Sequence, residues 1–131
     1  MKGEFDMANY GLLTETEFEV LSKMWDLDTK VTAKDLLAIF NEQGKDWKLP
    51  TVNTFLSHLL NAGYLKAGLG KRAYVYWPSM SRAAFEQKNA QYYLDKMFGG
   101  SCLNFITALS GGAPLPQNQA DELNDWILKH R

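Results

Sequence analysis

The spacing of hydrophobic residues along this chain changes at Gly63. Before Gly63, three segments carry apolar residues at the 3.6-residue period of an α-helix. After it, two short runs rich in Tyr, Val and Trp flank a Gly-x-Gly sequence at residues 68–70, and Pro78 ends the second run. Such runs around a glycine turn are typical of a β-hairpin. The order of elements is therefore three helices followed by two antiparallel strands.

The first two helical segments have recognisable starts. Thr14 followed by Glu17 is a capping box, and the apolar pattern after it predicts a helix that ends near residue 27. Thr32 followed by Asp35 repeats this helix-start pattern and predicts a second helix over residues 33–43.

The third segment carries Pro50 in its first turn and an apolar set at i, i+3, i+4, i+7 and i+8 before Gly63 ends it. The connection at residues 45–49 is short, so the second and third helices must turn sharply on each other. Three helices and a hairpin in this order indicate a winged helix-turn-helix domain, which we place at residues 10–78. The predicted fold class is mainly α with a small β-hairpin.

Residues 79–131 carry three further helical patterns: one capped by Ser79 or Ser81, one that starts at Ser101, and one from about Asn118. A segment of this size cannot build a core of its own, so its apolar stripe must bury against something else. We expect it to be the dimerisation region of a homodimer. The residues predicted at this dimer interface are Tyr93, Leu94, Met97, Phe98, Leu103, Ile106, Leu123, Trp126 and Ile127.

Composition excludes several other classes. One cysteine, Cys102, and two histidines cannot make the usual zinc site, and we expect no metal or cofactor. Cys102 lies in an apolar segment, where a small buried residue is commoner than a nucleophile, so no enzyme activity is expected. No signal peptide or membrane span is visible, which predicts a cytoplasmic protein without membrane insertion. Residues 1–9 are expected to be disordered.

Charge is unevenly distributed. Residues 1–44 hold four lysines and nine acidic residues, whereas residues 45–78 hold five lysine and arginine residues and one acid, Asp46. No acid occurs between Trp47 and Phe85. A polyanion repels carboxylates as strongly as it attracts basic side chains, so a surface that faces phosphates should lose acids. The depletion covers the third helix and the hairpin.

The outer side of the third helix carries short, uncharged, hydrogen-bonding side chains, which can contact phosphates or base edges in a major groove. The hairpin tip adds two basic residues beside two glycines, as in a wing that reaches the DNA backbone or minor groove. The alternative is that both are ordinary solvated surfaces. The candidate DNA-binding residues are Lys48, Thr51, Asn53, Thr54, Ser57, His58, Lys71 and Arg72.

Six motifs, in order and spacing, resemble the penicillinase-repressor (BlaI, MecI and CopY) family over residues 12–109. They are Leu13-Thr14-Glu15-Thr16-Glu17-Phe18-Glu19-Val20, Val31-Thr32-Ala33-Lys34-Asp35, Thr51-Val52-Asn53-Thr54-Phe55-Leu56-Ser57-His58-Leu59, Ala62-Gly63-Tyr64-Leu65, Arg72-Ala73-Tyr74-Val75-Tyr76-Trp77-Pro78 and Phe98-Gly99-Gly100-Ser101. The resemblance implies a homodimeric winged-helix repressor that binds an inverted repeat through the third helix and dimerises through its C-terminal helices. Members usually carry a basic residue where this chain has Asn53 and His58.

The resemblance also bears on how such a repressor is released. In antibiotic-responsive members, a membrane sensor protease triggers cleavage at an Asn-Phe bond, which Asn104-Phe105 resembles; the alternative is that Phe105 is a packing residue of a short amphipathic helix. Copper-responsive members carry a C-terminal cysteine cluster, and here only Cys102 is present.

Together these features predict a sequence-specific transcriptional repressor that binds double-stranded operator DNA as a homodimer. The alternative is a winged-helix module that binds another protein and has no specific DNA binding.

Overall fold

The computed structural model describes residues 13–131, so the predicted disorder of residues 1–9 lies outside the described part. Within 13–131 there are six helices and one two-stranded antiparallel sheet. The elements in chain order are α1 (Glu15–Leu27), α2 (Ala33–Glu42), α3 (Leu49–Asn61), β1 (Leu65–Leu69), β2 (Tyr74–Pro78), α4 (Arg82–Phe98), α5 (Cys102–Ser110) and α6 (Gln117–Lys129). The predicted fold class, a mainly helical winged helix, is confirmed.

Both predicted capping boxes are present. The Thr14 hydroxyl accepts from the Glu17 N–H at 3.1 Å while the Thr14 N–H donates to Glu17 Oε1 at 3.0 Å. The Thr32 hydroxyl and the Asp35 carboxylate make the same reciprocal pair at 3.0 and 2.9 Å. Each pair satisfies N–H groups that have no partner within the helix, which explains why α1 and α2 begin at these residues.

The turn between α2 and α3 is held by Asn41. Its side-chain amide donates to the Trp47 carbonyl at 3.0 Å, and its carbonyl accepts from the Trp47 N–H at 2.9 Å. The Trp47 ring packs between Phe40 and Phe55, with centroids 4.8 and 5.1 Å away. These contacts fix the orientation of α3 against α2.

The hairpin pairs Leu65 with Pro78 and Leu69 with Tyr74. The turn begins at Gly70, whose N–H donates to the Ala73 carbonyl at 2.8 Å. A Cβ atom at Gly70 would lie 2.7 Å from that carbonyl oxygen, so the close approach requires glycine. The other glycine of the Gly-x-Gly sequence, Gly68, lies within β1 rather than in the turn.

The wing is also attached to the segment between α1 and α2. Val31 and Tyr76 exchange two backbone hydrogen bonds of 3.0 and 2.7 Å, so β2 is paired on both sides at this point. This pairing holds the hairpin against the helical part of the domain. An isolated two-stranded hairpin would be only marginally stable.

The described residues form two compact units, one that extends to Tyr92 and one from Tyr93 onward. The core of the first unit includes a residue of α4: Phe85 is 5% exposed and contacts the rings of Phe18, Trp25 and Tyr64 at centroid distances of 5.7, 5.2 and 5.1 Å. Burial raises the pKa of the Tyr64 hydroxyl above its usual value. The first unit therefore continues past Pro78 into α4.

The start of α4 explains this continuation. The Ser81 hydroxyl accepts from the Ala84 N–H at 3.1 Å, so Ser81 caps the helix, whereas the Ser79 hydroxyl donates to the Gly63 carbonyl at 2.6 Å. The Trp25 indole N–H donates to the Met80 carbonyl at 2.9 Å. These bonds attach the segment before α4 to the winged-helix unit.

The second unit contains the end of α4 together with α5 and α6. The Ser101 hydroxyl caps α5 by accepting from the Asn104 N–H at 3.0 Å, as the sequence predicts. Neither α5 nor α6 has a buried residue. That residues 79–131 form a dimerisation region stays a prediction.

Candidate nucleic-acid interface

The outer side of α3 presents the predicted polar side chains. Val52, Leu56 and Leu59 are buried in the core. Four candidate residues on the remaining side of the helix are exposed, and Thr51 beside them is half-buried. The exposed candidates are Asn53, Thr54, Ser57 and His58. The structure therefore places all five of these candidate residues on one helix.

The hydrogen-bonding capacity of this surface differs from residue to residue. The Thr54 hydroxyl donates to the Pro50 carbonyl at 3.0 Å, which leaves its methyl group and oxygen lone pairs free to contact a ligand. Within residues 13–131, the side chains of Asn53 and Ser57 have no partner. An amide that can donate and accept at once is the group that reads adenine in a major groove.

The first turn of α3 carries no acidic residue. Lys48 is the N-cap residue, and no side chain caps the helix there. The Lys48 ammonium lies 4.0 Å from the Asp46 carboxylate, and both side chains are at least four-fifths exposed. An ion pair at this distance and exposure contributes little, so the lysine can leave it to contact an anion.

His58 has a partner on another helix that the sequence pattern does not indicate. Its Nδ1 lies 3.1 Å from Oε2 of Glu17 on α1, 41 residues earlier in the chain. The sequence pattern predicts for Glu17 only its place in the capping box. A contact between residues this far apart leaves no periodic or local signal, so nothing in the sequence pattern could have revealed it.

The wing tip carries the two predicted basic residues. Lys71 and Arg72 are exposed in the turn between β1 and β2. In the part of the chain that the structure describes, neither side chain has an ion pair or hydrogen bond. Both charges are therefore available to an anionic partner.

The second unit exposes much of its apolar surface. Of the predicted interface residues, Leu94, Phe98, Ile106 and Leu123 are half-buried. The others are exposed by two-fifths or more, as are Phe105, Leu109 and Leu128. These exposed predicted residues are Tyr93, Met97, Leu103, Trp126 and Ile127. So many exposed apolar side chains are unusual for a surface that faces only water.

Asn104 and Phe105 lie in the first turn of α5 and both are exposed. The Phe105 ring packs edge-on against Phe98, with centroids 5.3 Å apart. The bond between Asn104 and Phe105 is thus part of a capped helix.

One expectation about another candidate site needs correction. Cys102 is exposed rather than buried, because it lies at the first residue of α5, which has no buried position. On α1, the Glu19 carboxylate lies 3.1 Å from the Lys45 ammonium. Among residues 13–131 no group of three or more metal-binding side chains occurs. No helix in that range has the length and apolarity needed to cross a bilayer.

The chain is similar to a protein family, to a curated relative and to solved structures. The family model described as "Penicillinase repressor" matches residues 13–129. The penicillinase repressor of Bacillus licheniformis is 20% identical over 122 residues, which cover 91% of this chain and 91% of that protein. Among solved structures, an ArsR-like transcriptional regulator from Rhodococcus sp. RHA1 superposes with a TM-score of 0.49 at 16% identity, over 87% of this chain and 99% of that one.

Proposed function

The chain belongs to the penicillinase repressor family, and on that premise we propose that it is a sequence-specific DNA-binding repressor that acts in the cytoplasm as a homodimer on an inverted-repeat operator. One observation carries the DNA-binding part: the exposed polar side of α3 and the exposed wing tip both lie in the segment from Trp47 to Phe85, which has no acidic residue. Surfaces exposed only to water normally include Glu and Asp, so their absence favours a phosphate-rich partner.

In this proposal α3 enters the major groove. Asn53 and Thr54 contact base edges and provide the sequence preference. Lys48 and Thr51 at the start of the helix, and Ser57 further along it, contact the DNA backbone. Lys71 and Arg72 provide affinity through phosphates or the minor groove. Two features support these separate roles for α3 and the wing. The hydrogen-bonded α2–α3 turn and the Val31–Tyr76 pairing fix the position of α3 and of the wing within the same domain.

The homodimer is proposed from the apolar surface of the second unit. Two copies of an exposed stripe can cover one another in an isologous interface. A dimer has two DNA-binding units, one for each half-site, so it also matches the two-fold symmetry of an inverted-repeat operator.

The Asn104–Phe105 bond is the proposed cleavage point for a membrane sensor protease. A protease binds extended chain, so the first turn of α5 has to unwind before this bond is accessible. The Phe98–Phe105 contact also supports the alternative, in which Phe105 only packs within the second unit.

Replacing Asn53 by Ala tests the role of α3. We expect a loss of about 1–3 kcal/mol on the preferred operator and much less on random duplex, because only a base-edge contact distinguishes the two. Binding is measured by fluorescence anisotropy on both duplexes. Asn61→Ala is the matched control, since it removes the same group about 12 Å further along the helix. Equal weakening on every duplex would mean that Asn53 does not read bases.

Replacing Lys71 and Arg72 together by Ala tests the wing. We expect specific and random DNA to be weakened alike, with the slope of log affinity against log salt concentration reduced by about 0.9 for each phosphate that the variant no longer binds. The ranking of operator variants should stay the same. The control is the Lys129 and Arg131 pair changed to Ala, which removes the same charge from the C-terminus. A change in ranking at A·T positions would assign Arg72 to a minor-groove reading role instead.

A further inference from the structure

We infer that Glu17, a buried residue of α1 that does not itself reach the surface, sets the hydrogen-bonding character of His58 on α3 and so the base that His58 selects. This inference rests on the proposed function, because it names a specificity determinant of the same DNA-binding surface. Glu17 is a positioning residue in this account, and His58 is the residue that contacts DNA.

The two oxygens of Glu17 have different partners. Oε1 accepts from the Thr14 N–H at 3.0 Å, and Oε2 lies 3.1 Å from His58 Nδ1. The Glu17 side chain is 8% exposed, whereas that of His58 is 57% exposed. The carboxylate is thus fixed by the helix start on one side and holds the imidazole on the other.

The chemistry of a carboxylate determines which ring nitrogen carries the proton. An ionised carboxylate only accepts hydrogen bonds, so His58 Nδ1 must donate to it. In the neutral ring, Nε2 is then an acceptor. Within the described residues Nε2 has no hydrogen-bond partner, and its lone pair is available to a ligand.

An acceptor on α3 pairs with a donor in the major groove. Cytosine offers its N4 amino group there and adenine its N6 amino group, whereas the guanine edge offers only the O6 and N7 acceptors. A phosphate oxygen is also only an acceptor. The arrangement therefore directs neutral His58 toward cytosine or adenine and away from guanine and the backbone.

Glu17→Gln reverses this arrangement with almost no change in shape. The amide oxygen is retained by the Thr14 N–H, so the amide NH₂ group faces His58 Nδ1. Nδ1 must then accept, and the ring proton moves to Nε2, which becomes a donor. The variant keeps the capping box and inverts the group that His58 presents.

The first test is the tautomer itself, read from ¹⁵N chemical shifts of the full chain without DNA, in the pH range where the spectrum shows a neutral ring. We expect the Nδ1–H form in the unmodified protein and the Nε2–H form in E17Q. The same tautomer in both proteins, or a His58 ring that is protonated across the whole range in which the protein is folded, would overturn the inference. Amide spectra of both proteins establish that the fold is unchanged.

The second test is selection from a pool of random duplexes of about 40 base pairs, long enough for two half-sites one or two helical turns apart. We expect E17Q to raise the ratio of guanine to cytosine at one position of each half-site by about 3- to 10-fold, the value of a single hydrogen bond. His58→Ala should remove the preference at that position, and adding E17Q to it should change nothing further.

The outcomes distinguish a failure of the proposed function from a failure of the inference about Glu17. If neither protein selects any duplex, the proposed function fails, while the tautomer measurement still decides the role of Glu17. If duplexes are selected but E17Q leaves the guanine-to-cytosine ratio unchanged, or His58→Ala does not alter the selection, the inference is overturned and the proposed function stands.

Discussion

Changing Met97 and Trp126 together to Glu is expected to weaken specific operator binding by about 100-fold or more and to make the protein monomeric. Both side chains are more than half exposed within one chain, so the charges should cost the monomer little stability. In an isologous interface they would be buried and unpaired on both copies, which is strongly unfavourable. Without the dimer, the binding energies of the two half-sites no longer add.

Sedimentation at micromolar concentration and binding to an inverted-repeat duplex selected from the random pool provide the two readouts. Gln87→Glu with Gln119→Glu is the matched control, because it introduces the same charge at exposed polar positions of α4 and α6. The control should remain dimeric and bind normally. An unmodified chain that sediments as a monomer while it binds the inverted repeat with full affinity would contradict the dimer proposal.

Phe85→Ala is expected to lower the free energy of unfolding by about 3–5 kcal/mol, the usual cost of removing a buried aromatic ring. The loss is large because the ring contacts Phe18, Trp25 and Tyr64, whose packing spans α1 and the start of the hairpin. Chemical denaturation measures the change. Gln87→Ala, at an exposed position of the same helix, should change stability by less than about 0.5 kcal/mol.

Truncation of the chain also tests whether the winged-helix unit needs Phe85 for its stability. The sequence places the end of the winged-helix domain at Pro78 and so predicts that a chain ending there folds as a monomer. The structure leads us to expect instead that such a chain is severely destabilised, because it lacks Phe85 and the Met80 carbonyl that binds Trp25. A chain ending at Tyr92 should retain its stability. Equal denaturation midpoints for the two truncated chains would contradict this expectation.

The elements that the sequence predicts correctly are those specified by neighbouring residues. The capping boxes at Thr14 and Thr32, the Ser101 cap and the hairpin depend on contacts within a few positions, so their patterns are visible in the residue order. The polar side of α3 is likewise visible because helical period alone separates it from the core side.

The features that the sequence misses depend on tertiary contacts. Pro78 ends a strand and suggests a domain boundary, but nothing local shows that Phe85 returns to the core. The Glu17–His58 contact joins residues 41 positions apart, and the exposure of Cys102 follows from an α5 without a buried side. Each of these is decided by how elements pack, which residue order alone does not specify.

The most direct test of the central claim, that α3 and the wing form a DNA-binding surface, is the salt dependence of binding to random-sequence duplex. Because phosphate contacts release counterions, we predict that the full chain binds such duplex and that log affinity falls linearly as log salt concentration rises. The slope should become shallower when Lys71 and Arg72 are changed to Ala. A chain that does not bind duplex at low salt, or binds with an affinity independent of salt, would contradict the account and favour a winged-helix module that binds protein.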